Sequence, residues 1–402
     1  MNKNISSNIN LNDYLNQVND AHYNQDGEAV AALLSFRQPH VMSHRLNAEK
    51  PERAVANIIY PPMDEVVLAH LKVILWYRCG KVLEMWQAQC AMVTAVARFM
   101  TESKEENWML PLMNTACLEL RLQSISADAQ SARTGATKAG ELLEKTADCL
   151  MACFRVCAAD TRASENDTKR WGLLYLVNQF FKIYFKINKL NLCKPMIRAI
   201  ESLAFKDQYP LSQLITYKYY TGRKAMFDSD FKAANEALSF AFQRCPRRSH
   251  KNKRRILIYL LPVKMLIGYI PKKSLLLKYN LKEFMDVVMA VKTGDIRLLN
   301  DAFVQYERFF IGAGIYLILE KLKSVAYRNL FKKVFLIKQS HQLDIAVFTQ
   351  ALKWLRMEDI DVDETECLLA NMIYEGKIKG YISHVHKKLV VSKKDAFPPI
   401  AA

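Results

Sequence analysis

From Asp64 onward the apolar residues of this chain recur at spacings of three and four, the signature of amphipathic helices. Such runs cover 66–76, 82–99 and 108–122 and predict three successive helices. Residues 124–140, rich in Ser, Ala, Thr, Asp and Gly, read as a loop. Helix is predicted again over 141–158. A polar joint at 160–169 then leads to a very aromatic helix at 171–185. The first fifty residues are polar apart from a short amphipathic segment at 11–18. Pro39, Pro51, Pro61 and Pro62 predict helices joined by extended pieces there.

Between 215 and 246, Gly222, Ala234, Leu238, Ala241 and Pro246 fall at the offsets of one tetratricopeptide repeat. Small residues sit where two antiparallel helices touch, and proline ends the second because it has no N–H. Residues 188–200 read as the second helix of a more degenerate hairpin. Helical pairs continue through 256–319, with turns at 268–271 and 292–294. Stacked pairs of this kind make a right-handed solenoid.

The pattern changes at 321–394, which predicts three helices and a two-stranded hairpin, the outline of a winged helix. The helices fall at about 321–338, 343–355 and 362–375. Ile345, Phe348, Leu352 and Leu355 face inward on the second, and Leu369, Met372 and Ile373 on the third. Segments 377–384 and 389–393 alternate with period two. The predicted fold class is all-α: stacked helical hairpins in a TPR-like solenoid, then a C-terminal winged helix with a small β-hairpin. The expected domains are an N-terminal helical repeat region at 1–205, a helical subdomain at 206–319, and the winged helix with a short tail at 320–402.

Composition agrees with a helical body, since Gly and Pro number only 12 each. The start lacks an apolar signal region. The longest apolar run, 256–270, is broken by Pro262 and Lys264 and is too short to span a bilayer. Nine cysteines without a paired motif fit a reducing compartment. A soluble intracellular protein with no membrane insertion is expected.

Charge adds a partner class. The net charge is +17, which favours a polyanion. Residues 244–282 hold twelve Lys or Arg and no acid, and the helix at 321–338 has none either. The candidate phosphate contacts are Lys321, Arg328, Lys332 and Lys333 on that helix, with Lys321, Arg328 and Lys332 on one face. Lys377, Lys379, Lys387 and Lys388 join them from the hairpin, and Arg254 and Arg255 from the basic run. The plain alternative is a solvated face. The run 247–255 has three readings: a nucleic-acid track, a nuclear import signal, or a mobile solvated turn. The third helix is approached through Glu358, Asp359 and Asp361 and opens with Asp363, Glu364 and Glu366. Those acids suit the helix dipole and oppose phosphates, which disfavours base reading in a major groove. Lys182, Lys186, Lys189, Lys218, Arg223 and Lys224 offer a track for an extended acidic peptide, or are ordinary surface lysines beside a packed core.

Candidate chemistry is sparse. Cys149, Cys153 and Cys157 share one helix stripe and read as a packing face, because zinc needs ligands converging from several directions. His384 and His386 read as a surface pair on one strand face. Gly312 and Gly314 read as a close helix contact. Paired carboxylates occur only on apparently exposed helices, and no phosphate loop, nucleophile elbow or zinc-protease motif is present. No catalytic base, cofactor or metal is expected.

Stacked helical hairpins running into a winged helix resemble the PCI-domain family of the proteasome lid, the signalosome and a translation initiation factor. The strings at 153–157, 176–189, 217–231, 258–265, 327–333 and 380–384 extend the resemblance over most of the chain. They are similar to the metazoan relatives of the yeast Thp-type subunit of a nuclear-pore-associated transcription and mRNA export complex. The resemblance implies a noncatalytic subunit that binds a large PCI-containing scaffold subunit and a small acidic protein shared with the proteasome lid. It also implies that juxtaposed winged helices form a platform for RNA, and possibly DNA. The implied location is the nuclear pore and nucleoplasm, with a cytoplasmic pool. The rival readings are a pure protein scaffold, as in the proteasome lid or signalosome, and a sequence-specific DNA-binding regulator.

Overall fold

A computed structural model describes residues 8–46, 51–102, 107–161, 166–355, 357 and 359–400. Part of the joint at 160–169 and Glu358 lie outside them. The chain packs as two compact units, 1–217 and 218–402. Helix predominates in both, and no helix among the described residues is long and apolar enough to cross a membrane.

The first unit contains α1 (Leu11–Tyr23), α2 (Gly27–Leu33), α3 (Pro51–Ile58), α4 (Met63–Arg78), α5 (Val82–Glu102), α6 (Leu110–Arg133), α7 (Glu141–Ala158), α8 (Leu173–Tyr184) and α9 (Cys193–Glu201). Local chemistry starts the early ones. Asn10 accepts from the Asp13 amide at 2.8 Å and Asp26 from the Ala29 amide at 3.0 Å, each quieting an orphan donor at a helix start. From α4 to α8 each helix packs on the next, and α5 also packs on α7. Met92, Val93 and Val96 on α5 are fully buried, each stabilising the fold by roughly 1.5–3 kcal/mol before entropy is subtracted.

The loop expected at 124–140 is mostly helix. Helix α6 runs on to Arg133 because the small residues Ser124, Ala127 and Ser131 lie on its buried face. Only 134–140 turn. Asp128 then reaches across the turn and accepts from the Gly140 amide at 2.9 Å and the Leu142 amide at 3.2 Å, so the end of α6 caps the start of α7.

Helix α10 (Leu211–Phe227) passes from the first unit into the second. There it pairs with α11 (Phe231–Arg244) as the repeat offsets require. A Cβ on Gly222 would lie 2.7 Å from Leu238 Cγ, and Ala234, Leu238 and Ala241 are fully buried. Next come α12 (His250–Leu266), α13 (Lys273–Lys278), α14 (Met285–Thr293), α15 (Ile296–Gln305), α16 (Glu307–Ala313) and α17 (Tyr316–Glu320). Gly294 ends α14 with φ +73°, and its missing side chain leaves room for the Leu330 backbone. Gly312 and Gly314 are not a close helix contact. Gly314 ends α16 in the left-handed region at φ +70°, and Gly312 faces open space.

The winged helix consists of α18 (Leu322–Lys338), β1 (Gln342–Asp344), α19 (Ile345–Trp354), α20 (Val362–Tyr374), β2 (Gly380–Ser383) and β3 (Lys388–Val391). Its sheet has three strands, in the order β1-β3-β2 and antiparallel throughout, one more than the hairpin expected. Leu389 stands opposite both Leu343 and Ile382. Strand β1 is only three residues long, too short to declare a period of two. Phe331, Phe348, Leu352, Leu369 and Leu389 centre the core, with the Phe331 and Phe348 rings edge to face at 5.0 Å. Asp361 and Glu364 form a capping box at the start of α20. Residues 384–387 turn instead of continuing the strand, so His384 and His386 share no strand face. The segment after the sheet returns to the core, burying Ala396 and Phe397.

Candidate functional site

The inward stripe of α18 is Leu322, Val325, Ala326, Phe331 and Val334, and Arg328 lies within it. Arg328 is therefore 6% exposed and does not share a surface with Lys332. Its guanidinium donates to the carbonyl oxygens of Phe397 at 2.9 Å and Pro398 at 2.5 Å, and to Asn329 Oδ1 at 2.9 Å. Burial and these three bonds from its terminal nitrogens take Arg328 off the candidate surface. Lys321 is exposed, but its amine bonds Ser229 Oγ at 2.8 Å and lies over the Phe231 ring. Lys332 and Lys333 are exposed and unpaired among the described residues, as is Lys338.

The hairpin cations are paired. Lys377 Nζ lies 2.5 Å from Glu375 and 2.7 Å from Ser324 Oγ, and Lys379 lies 3.2 Å from Asp395. Lys387 bridges Asp363 at 2.8 Å and Glu366 at 3.0 Å, while Lys388 stands 3.8 Å from Asp344. His384 adds a 2.7 Å contact to Glu366. Hydrogen bonds from Lys387 and His384 hold the Asp363 and Glu366 carboxyls below their ordinary range, and both carboxylates raise the Lys387 amine. Two acids of α20, Asp363 and Glu366, thus face the protein's own wing and neutralise Lys387. Their side chains also make α20 a poor reader of a major groove.

The basic run after α11 is not wholly a loop, since helix begins at His250. Lys253 is buried and donates to the Phe242 carbonyl at 2.7 Å. Arg254 is braced by Glu283 at 3.4 Å and lies over the Phe309 ring. Arg247, Arg248, Lys251 and Arg255 remain exposed and unpaired among the described residues. They gather before and along the first turns of α12, at the positive end of its dipole, where cations are disfavoured. The local potential is therefore raised twice, by side chains and by backbone. Helix α12 packs against α18.

The acidic-peptide track is less free than its sequence suggests. In the first unit, Lys182 is half-buried, and burial with the nearby Arg121 pushes its amine down to about 8. Lys186 is exposed, and Lys189 is paired to Glu144 at 2.7 Å. In the second unit, Lys218 is partly buried and Arg223 stacks over Tyr259 at 4.2 Å. Lys224 is buried and holds Asp228 at 2.5 Å. Arg223 and Lys224 are structural, because their heads face their own unit.

Sequence reading missed two buried polar groups. Glu119 is a lone carboxylate, 1% exposed. It accepts from Ser35 Oγ at 2.5 Å and from the Phe36 amide at 3.4 Å, and burial pushes its carboxyl up to about 7. Its place inside the apolar run 116–120 was the available signal. Tyr14, His40 and His70 form a second buried group, with the Tyr14 and His40 rings stacked at 5.5 Å. Burial takes His40 down to about 4. Neither group adjoins a metal-binding cluster among the described residues. The cysteine stripe packs as expected, with Cys153 and Cys157 buried.

Comparison with known proteins now adds identity to geometry. The PCI domain family model matches residues 303–393. Over 393 residues the chain is 52% identical to PCI domain-containing protein 2 of Xenopus laevis, covering 98% of each. It is 52% identical to the Danio rerio protein of that name, covering 98% of this chain and 99% of the other. For the Drosophila melanogaster homolog the identity is 53%, covering 97% and 99%. Helical pairs, a C-terminal winged helix and half-identity along nearly the full length converge: the chain belongs to the family of PCI domain-containing protein 2.

Proposed function

We propose that this chain is a noncatalytic scaffold subunit of a nuclear-pore-associated mRNA export complex and that it holds RNA, or DNA, by its phosphates without reading bases. The observation that carries this reading is the set of exposed, unpaired cations Arg247, Arg248, Lys251 and Arg255 at the positive end of α12, with Lys332 and Lys333 on α18. Contacts of this type give affinity that falls with salt and carry little sequence information. The proposed protein partners are a large PCI-containing subunit and a small acidic protein shared with the proteasome lid. Exposed Leu336, Ile337 and Trp354 supply apolar surface for such contacts. The proposed location is the nuclear pore and nucleoplasm, with a cytoplasmic pool.

The test is fluorescence anisotropy of a labelled single-stranded RNA across a salt series. Wild type is compared with a variant carrying Arg247→Glu, Arg248→Glu, Arg255→Glu, Lys332→Glu and Lys333→Glu. The expected result is a loss of affinity and of salt slope, roughly 0.7 per lost phosphate contact on a single strand, with base-scrambled competitors equally effective. A pure protein scaffold is the second reading, favoured by the pairing of every candidate hairpin lysine with a carboxylate. Equal binding by the two proteins, or none by either, selects it.

A further inference from the structure

Helices α11, α12 and α13 border a groove of about 240 Å³ in the second unit. Its floor is Leu257, Leu260 and Leu261, which follow one face of α12. Phe242 and Gln243 line it from α11, and Tyr269 and Leu275 from the far side. Tyr269 keeps 63% of its surface exposed, so an aromatic ring is open to a ligand there. A second depression, lined by Lys272, Ser274 and Lys278, adjoins the first through Leu275. The groove continues the basic surface already described. Gln243 is the last residue but one of α11, and the turn after it carries Arg247 and Arg248. A file of rings leads inward from that turn: His250 lies 5.8 Å from Tyr279, and Tyr279 lies 5.8 Å from Phe242. Cations stand at both ends of α12, with Arg247, Arg248 and Lys251 where it begins and Lys264 and Lys272 where it stops. Lys264 Nζ is 5.1 Å from the centre of the Tyr269 ring. No residue from 244 to 282 is acidic.

We propose that a single-stranded nucleic acid lies along this groove, its phosphates on the cations at both ends of α12 and an unpaired base stacked on Tyr269. The inference rests on the proposed phosphate contacts and adds to them a demand for unpaired bases. A base offers an aromatic face joined to phosphates on either side, and the groove offers a ring and an apolar floor between two groups of cations. Stacking tolerates any base, so the groove holds a strand without reading its sequence. An acidic peptide with an apolar anchor would match the charges as well. The continuity of the groove with the basic turn favours the strand.

The test compares the full-length protein on a labelled single-stranded RNA and on the same strand built with abasic sugars, by anisotropy across a salt series. Wild type should bind the intact strand about tenfold more tightly. The two salt slopes should agree, because the phosphates are the same. Tyr269→Ala should erase the preference and Tyr269→Phe should keep it. The ring is exposed, so the fold does not depend on it. Equal affinity of wild type for both strands, with a steep salt slope, removes the stacked base and leaves the phosphate contacts standing. Absence of binding to either strand overturns both. A glutamate-rich peptide carrying one tryptophan serves as the remaining probe. If it binds in a Tyr269-dependent way while the RNA ignores Tyr269→Ala, the groove belongs to a protein partner and the proposal fails.

Discussion

Arg328 holds Phe397 by its backbone, donating 2.9 Å to its carbonyl oxygen from inside the winged helix. The Phe397 ring lies 5.6 Å from the Phe335 ring, and further along Ile400 fills the space that a side chain on Gly268, beyond the end of α12, would need. A residue that reads as a phosphate contact is thus a clasp between the first winged-helix element and the segment after the sheet.

Replacing that clasp should cost stability more than binding. Arg328→Ala leaves the Phe397 and Pro398 carbonyls without their donor, a loss of roughly 1–3 kcal/mol. Urea unfolding measures it, while RNA anisotropy on the folded fraction should be unchanged. A fall in RNA affinity at unchanged stability would return Arg328 to the binding surface.

Freeing the wing should strengthen polyanion binding. Asp363→Asn with Glu366→Gln releases Lys387 from both partners. Under the proposed function, RNA affinity rises and the salt slope steepens by roughly 0.7 for the one cation released. No change in either quantity places the wing outside the RNA contact.

The hairpin of α10 and α11 should reject a single methyl group. Gly222→Ala sets a Cβ against Leu238 Cγ, with the Ala237 Cβ at 3.2 Å, and overpacking of this kind costs about 1–3 kcal/mol. Thermal melts should show the loss, and Leu238→Ala in the same chain should relieve part of the clash.

Two buried groups make stability depend on pH in opposite directions. Glu119 is raised to about 7, so its contribution is full below the unfolded value near 4.5 and is lost as pH rises through 7. Glu119→Gln should therefore gain on wild type across that window by up to about 3 kcal/mol and run parallel outside it. His40 is lowered to about 4, so its contribution is full above the unfolded value near 6.5 and is lost as pH falls toward 4. Urea unfolding from pH 4 to 8, on wild type, Glu119→Gln and His40→Gln, separates the two slopes.

Much of this architecture is legible in the sequence because it rests on local rules. Gly222, Ala234, Leu238 and Ala241 announce their hairpin by offset alone, and α7 begins and ends where its periodicity does. What escaped reading depends on distant partners. Lys387 meets Asp363 and Glu366 from 24 and 21 positions away, and Arg328 meets Phe397 across 69. A count of charges cannot tell a free lysine from a neutralised one, which is why the hairpin looks more basic in sequence than in space. Strand β1 was lost for another reason: three residues carry too little alternation to be seen.

The turn at 134–140 looks like the natural place to cut this protein into separately expressed pieces. It is polar, holds two glycines and joins two long helices. Yet Asp128, on the near side, supplies the acceptor for the Gly140 and Leu142 amides on the far side. A fragment that starts at 140 would begin its first helix with bare donors, and one that stops at 133 would keep a mostly buried carboxylate with nothing to receive. A protease nick in the turn should leave the halves associated, whereas separate expression should yield two poorly soluble fragments. A piece of this chain meant to stand alone has to keep both sides of that turn.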